Sequence, residues 1–161
     1  ISLINFNGPC EASLEDMKRA EKNGSTQETL LIGAAVYRRC GDLKKAIASM
    51  KEVLKIVPND PGWFQTGNLV MLLFRDGQLE EIRRVIGDKI NAEDMGVRVL
   101  AVFAYLASKD GKKSEAKIYF ERSLANGFRW QRLKDLPQDL RTDVLDTLES
   151  LIPFERGDIA N

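Results

Sequence analysis

Residues 27–60 read QETLLIGAAVYRRCGDLKKAIASMKEVLKIVPND, and their reading decides the fold. Leu30, Ala34 and Tyr37 recur at three- and four-residue intervals, and Ala46, Met50, Val53 and Leu54 do the same beyond Cys40-Gly41-Asp42. Two amphipathic helices therefore stand back to back, split by a glycine turn and closed by Pro58-Asn59-Asp60. Gly33, Ala34 and Ala46 are small where two antiparallel helices must approach closely, and Leu30, Tyr37, Met50 and Val53 are large enough to fill the space around them. The stretch predicts a helical hairpin of the length that solenoid repeats use.

The hairpin's spacing returns downstream. Gly41, Gly77 and Gly111 stand 36 and 34 residues apart. Asp60 can cap a helix with Pro61 in its first turn, running through Trp63, Phe64 and Leu69–Leu73 to Arg75; GQLEEIRRVIGDKI follows as its partner to Ile90, with Ile82 where Ala46 stood. Asn91 can cap a third pair, with Glu93 and Asp94 in the first turn where the helix dipole favours anions. VLAVFAYLASK then leads to Asp110-Gly111, and KKSEAKIYFERSLANG places Ala116 at the close contact, Phe120 as the large residue and Gly127 as a left-handed end.

Ala34, Tyr37, Gly41-Asp42, Ala46, Met50 and Pro58 at this spacing resemble the tetratricopeptide repeat family. The resemblance implies an all-α, right-handed superhelical solenoid of antiparallel helix pairs and a protein-binding role. The expected organisation is an extension over 1–26, three helix pairs over 27–127, and a capping helix with tail over 128–161. In the extension, ISLINF alternates like a short strand, and Ser13 followed by Asp16 looks like a capped helix start with Leu14, Met17 and Ala20 on one side. In the last part, Phe128, Trp130 and Leu133 suggest a short helix or turn. Leu140, Val144, Leu145, Leu148 and Leu151 then form one face of a helix that covers the end of the stack, and Phe154–Asn161 is expected to be loose.

Composition narrows the function. Lys plus Arg equals Asp plus Glu at 24 each, so the net charge is zero and neither nucleic acid nor an anionic membrane is an expected partner. The longest apolar run, Val99–Ala107, falls well short of the roughly 18 residues of a membrane span. Histidine is absent, which removes the commonest general base and transition-metal ligand together. There is no glycine-rich phosphate loop and no nucleophile–base pairing, so no cofactor, metal or catalytic residue is expected. Carboxylate neighbours such as Glu80 and Glu81 suit helix starts. Cys10 and Cys40 are too few and too far apart for a zinc or redox motif. A disulfide would suit an exported chain; two separate thiols in a cytoplasmic one are the expectation. The chain opens on Ile1, which reads as a fragment or processed form.

In the family the first helix of each pair lines the concave side. Carried over residue by residue, this implies a groove lined by Leu31, Ala35, Arg38 and Arg39 from the first pair. Gly67, Met71, Phe74 and Arg75 would come from the second, and Ala101, Tyr105, Ser108 and Lys109 from the third. An apolar floor edged by Arg38, Arg39, Arg75 and Lys109 suits a protein or peptide segment with acidic side chains beside apolar anchors. Cations in a last helical turn also match the helix dipole without any partner. Members that grip chaperone C-terminal carboxylates use lysine, asparagine and arginine on these helices; Leu31, Ala35, Gly67, Met71, Ala101 and Tyr105 stand there instead, and no such clamp is expected. A second reading stays open. ISLINF and ANGFRWQRLKDLPQDL look similar to repeat segments at the ends of bacterial multidomain regulators and nucleotide cyclases, which implies a regulatory or sensory role. Self-association through the apolar face of the first helix is a further alternative.

Overall fold

The computed structural model describes residues 8–156, and the strand expected over Ile1–Phe6 lies outside them. The described residues are helical, without a strand: α1 (Cys10–Lys22), α2 (Gln27–Arg39), α3 (Leu43–Ile56), α4 (Phe64–Arg75), α5 (Leu79–Ile86), α6 (Val97–Lys109), α7 (Lys113–Ala125) and α8 (Gln138–Leu151). Two compact units divide between Asp76 and Gly77, in the turn joining the two helices of the expected second pair.

In the first unit α2 and α3 form the hairpin. Thr26 caps α2 by accepting from the Thr29 amide at 3.1 Å. Gly41, at φ +82°, turns the chain in a conformation that a Cβ would oppose. The Asp42 amide donates to the Tyr37 carbonyl at 2.8 Å, and the Asp42 carboxylate accepts from the Lys45 amide to start α3. Ala34 and Ala46 are buried together with Val36, Tyr37, Met50 and Val53. Replacing Ala46 by leucine is expected to overfill this contact at a cost of about 1–3 kcal/mol. Leucine at exposed Lys44 should fall within about 0.5 kcal/mol of wild type. Equal urea midpoints for the two variants would refute the helix register.

Helix α1 packs on α2. Met17 is buried over Gly33, where an added Cβ would stand 3.0 Å from Met17 Cε. The Tyr37 hydroxyl donates to Glu21 at 2.6 Å, and Arg39 Nη2 donates to Ser13 Oγ at 2.6 Å. This pairing corrects two expectations. Ser13, expected to cap the helix, lies inside it and is fully buried, because the helix begins at Cys10 directly after Pro9. Cys10 and Cys40, expected as separate thiols, form a disulfide, since α1 returns alongside α2 and brings their Cα atoms within 5.6 Å.

Helix α4 packs against α3. Its N-cap residue is Trp63, whereas Asp60, expected in that place with Pro61 in the first turn, stands one 3₁₀ turn earlier; its carboxylate still accepts from the Gln65 and Thr66 amides at 2.9 and 2.6 Å. Pro61–Trp63 forms a 3₁₀ turn first, in which Gly62 and Trp63 both take left-handed backbone, at φ +65° and +57°.

In the second unit α6 and α7 repeat the hairpin, with Ala104, Ala116 and Phe120 buried and Gly111 at φ +78°. Gly127 ends α7 at φ +89°, the left-handed exit its position implied. Two boundaries differ from expectation. The helix expected through Ile90 stops at Ile86, because Gly87 (φ +49°, ψ −136°) breaks it into a 3₁₀ turn over Gly87–Asn91. Asn91 therefore ends a turn, and α6 starts at Val97 after Gly96. Arg122 fastens this connection by donating to the Ile90 and Ala92 carbonyls at 2.8 and 2.7 Å. Helix α8 buries Val144, Leu145 and Leu148 and packs on α6 and α7. Beyond it, Phe154 is not loose: its ring meets Phe120 and Phe128 edge-on at 5.4 and 5.7 Å. Arg156 bridges Asp146 and Glu149 of α8. Apolar contact and a shared guanidinium hold residues that composition alone left as a tail.

Candidate functional site

Helix α2 carries the first group of lining residues. Gly33, Ala34, Val36 and Tyr37 face the hairpin and α1 and are buried, while Leu31, Ala35 and Arg38 are half-exposed and Arg39 is exposed. These four are spaced i, i+4, i+7 and i+8, which places them on one helical face. Arg39 leans toward α1 through its bond to Ser13.

Helix α4 presents less. Arg75 is half-exposed at the last turn, but Met71 and Phe74 retain only 7% and 3% exposure, and Gly67 is buried. Met71 and Phe74 therefore belong to the packing beneath a surface and offer a partner little area.

In the second unit, Tyr105 and Lys109 of α6 converge on Asp143 of α8. The Tyr105 hydroxyl donates to Asp143 at 2.6 Å, Lys109 donates at 2.9 Å, and the ammonium lies 5.2 Å from the centre of the Tyr105 ring. Burial and then the Asp143 carboxylate push the Tyr105 phenol well above its ordinary value, so it stays a donor. The Tyr105 hydroxyl and then Lys109 hold the Asp143 carboxyl below its ordinary 3.8. A carboxylate with a lowered value stabilises the fold above that ordinary value and ceases to do so as pH falls through the lowered one. Acid titration of wild type is accordingly expected to lose a stabilising increment below about pH 4 that Asp143→Asn lacks at every pH. Parallel acid-unfolding curves for the two proteins would remove this tie from the account.

Among the described residues no cluster of three or more Cys, Asp or Glu side chains is placed to hold a metal ion. No helix among them is long and apolar enough to cross a membrane.

The family model described as tetratricopeptide repeat matches residues 31–60. The α2–α3 hairpin is similar to a tetratricopeptide repeat. Its match runs from Leu31 in α2 to Asp60, whose carboxylate accepts from the Thr66 amide of α4. The α6–α7 hairpin lies outside the matched span and reproduces the repeat's buried alanines and left-handed glycine turn. Tetratricopeptide repeats generally mediate protein–protein interaction and are generally not enzymes. No curated protein and no solved structure gives a significant match to the chain.

Proposed function

We propose that this chain is a protein–protein interaction module that holds a partner segment carrying apolar anchors beside acidic side chains. One observation supports it above others. In the hairpin that matches the family, the lining positions Leu31, Ala35, Arg38 and Arg39 all keep exposed surface, while the residues packed between them do not. Arg75 adds a half-exposed cation from α4. Asp143 supports the acidic preference from within the chain, since an aspartate seated against Tyr105 and Lys109 has the chemistry assigned to the partner. Met71 and Phe74 act as the floor that sets the height of this surface. No catalytic role is proposed for any residue.

The test uses short synthetic peptides in which leucine or phenylalanine alternates with aspartate or glutamate, titrated by fluorescence anisotropy. Replacing Arg38 and Arg75 together by glutamate is expected to weaken binding about tenfold or more, since hydrogen bonds to charged groups contribute about 1.5–3 kcal/mol each. Helical content should not change. Equal affinities for wild type and the double variant end the groove assignment.

The Cys10–Cys40 bridge favours a second reading alongside the first. Disulfides persist in oxidising compartments, so the bridge supports an exported regulatory or sensory segment, as in a bacterial periplasm, over a cytoplasmic one.

A further inference from the structure

The turn that joins α1 to α2 carries Asn23-Gly24-Ser25, the Asn-x-Ser pattern in which an asparagine carboxamide accepts an N-linked glycan. The pattern stands once in the sequence. Its surroundings suit that chemistry. The triplet and Thr26 close the α1–α2 hairpin, and residues 21–28 are exposed throughout. The Asn23 and Gly24 amides donate back to the Ala20 and Glu21 carbonyls at 3.0 and 3.2 Å, so α1 ends before the triplet and its side chains stand outside the helix. Gly24 takes φ +100°, and a Cβ there would meet nothing within 4 Å, which puts the centre of the triplet in open space. Among the described residues the Asn23 carboxamide and the Ser25 hydroxyl make no hydrogen bond, whereas the neighbouring Thr26 is engaged in capping α2. Asn126 shows the contrast: it too precedes a glycine, but Phe128 follows in place of a hydroxyl, and its carboxamide donates to the Met95 carbonyl at 3.4 Å.

The other end of the same hairpin supplies an independent observation. Cys10 and Cys40 are joined there, one 13-residue helix or about 20 Å from the turn. Disulfides persist on the exported side of a membrane, and asparagine glycosylation takes place on that side too, so bridge and acceptor belong to one compartment. We infer that Asn23 is an N-glycosylation site. The donor is a lipid-linked oligosaccharide diphosphate. Asn23 Nδ2 attacks the anomeric carbon of its first sugar, and the new C–N bond replaces the C–O bond to the diphosphate. The lipid diphosphate leaves with that electron pair, and the proton lost from Nδ2 passes to a base of the transferase. The Ser25 hydroxyl is the group by which the transferase recognises the acceptor, a task threonine shares and alanine does not. A glycan at this turn lies at the far end of α2 from Arg38 and Arg39 and leaves that part of the proposed lining uncovered. The site rests on the reading of the chain as exported and is independent of the partner groove.

The experiment translates the full 161-residue chain behind a cleavable export signal in the presence of endoplasmic-reticulum microsomes and separates the imported products by mass. Wild type is expected to gain a single glycan step, removed by peptide N-glycosidase. In heavy-oxygen water that removal should leave a heavy-oxygen aspartate at position 23. Asn23→Gln and Ser25→Ala should lose the step completely, and Ser25→Thr should keep it. All three positions are exposed, so folding does not confound the result. An imported wild-type chain that forms the Cys10–Cys40 bridge and gains no step overturns the site while leaving the exported reading intact. A step that survives Asn23→Gln also overturns it. Aspartate at position 23 without heavy oxygen marks spontaneous deamidation of the Asn-Gly pair and overturns it as well. A glycosylated chain whose two cysteines stay as thiols supports the site and removes the bridge's support for export.

Discussion

Phe120→Ala is expected to destabilise the protein by about 3–5 kcal/mol without altering the α2–α3 hairpin. Phe120 has no exposed surface, and its ring meets Phe128 at 5.5 Å and Phe154 at 5.4 Å, each edge to face. Truncation removes a fully buried aromatic and leaves a space lined by two rings that cannot both close into it. Edge-to-face pairs contribute about 0.5–1.5 kcal/mol each beyond the area they bury, so two lost pairs add to the transfer cost. Urea unfolding followed by circular dichroism reads the change directly. A cost below about 1.5 kcal/mol would mean that the three rings do not form one packed cluster.

Reduction of the Cys10–Cys40 disulfide should cost about 3.5 kcal/mol. The two cysteines are 30 residues apart, and closing a loop of that length removes roughly this much chain entropy from the unfolded state. The native contacts between α1 and α2 survive reduction, because Met17 still covers Gly33 and Tyr37 still reaches Glu21. Reduced protein should therefore keep its helical content under native conditions and unfold at lower urea. Cys10→Ser/Cys40→Ser should match reduced wild type and ignore reductant. Two freely titrating thiols in untreated native protein, with a midpoint unmoved by reductant, would refute the bridge.

Where the sequence spoke clearly, it did so through local repetition. The α2–α3 and α6–α7 hairpins were legible because small residues, large residues and turn glycines recur within a few turns of helix, and each term constrains the next. Helix starts were less legible. Ser13 has the right side chain for a cap, but Pro9 stands earlier at a position where its missing amide hydrogen costs nothing, so the helix begins there. Asn91 likewise lost to Gly96, and Gly87 broke a pattern whose apolar period ran straight through it. The lining residues were half legible. On α2 the apolar and polar faces separate, whereas on α4 Leu69–Phe74 is apolar on every side, so periodicity could not say that Met71 and Phe74 point inward. Long-range partners were not legible at all: nothing in the spacing pairs Cys10 with Cys40 or Lys109 with Asp143.

A helix usually frays from its ends, since the last turns have the fewest neighbours. In α8 the C-terminal end is fastened, with Phe154 wedged between two rings and Arg156 clasping Asp146 and Glu149 from outside. Unravelling from this side must first extract an aromatic ring and release a doubly held cation, so α8 has lost a place where fraying ordinarily begins.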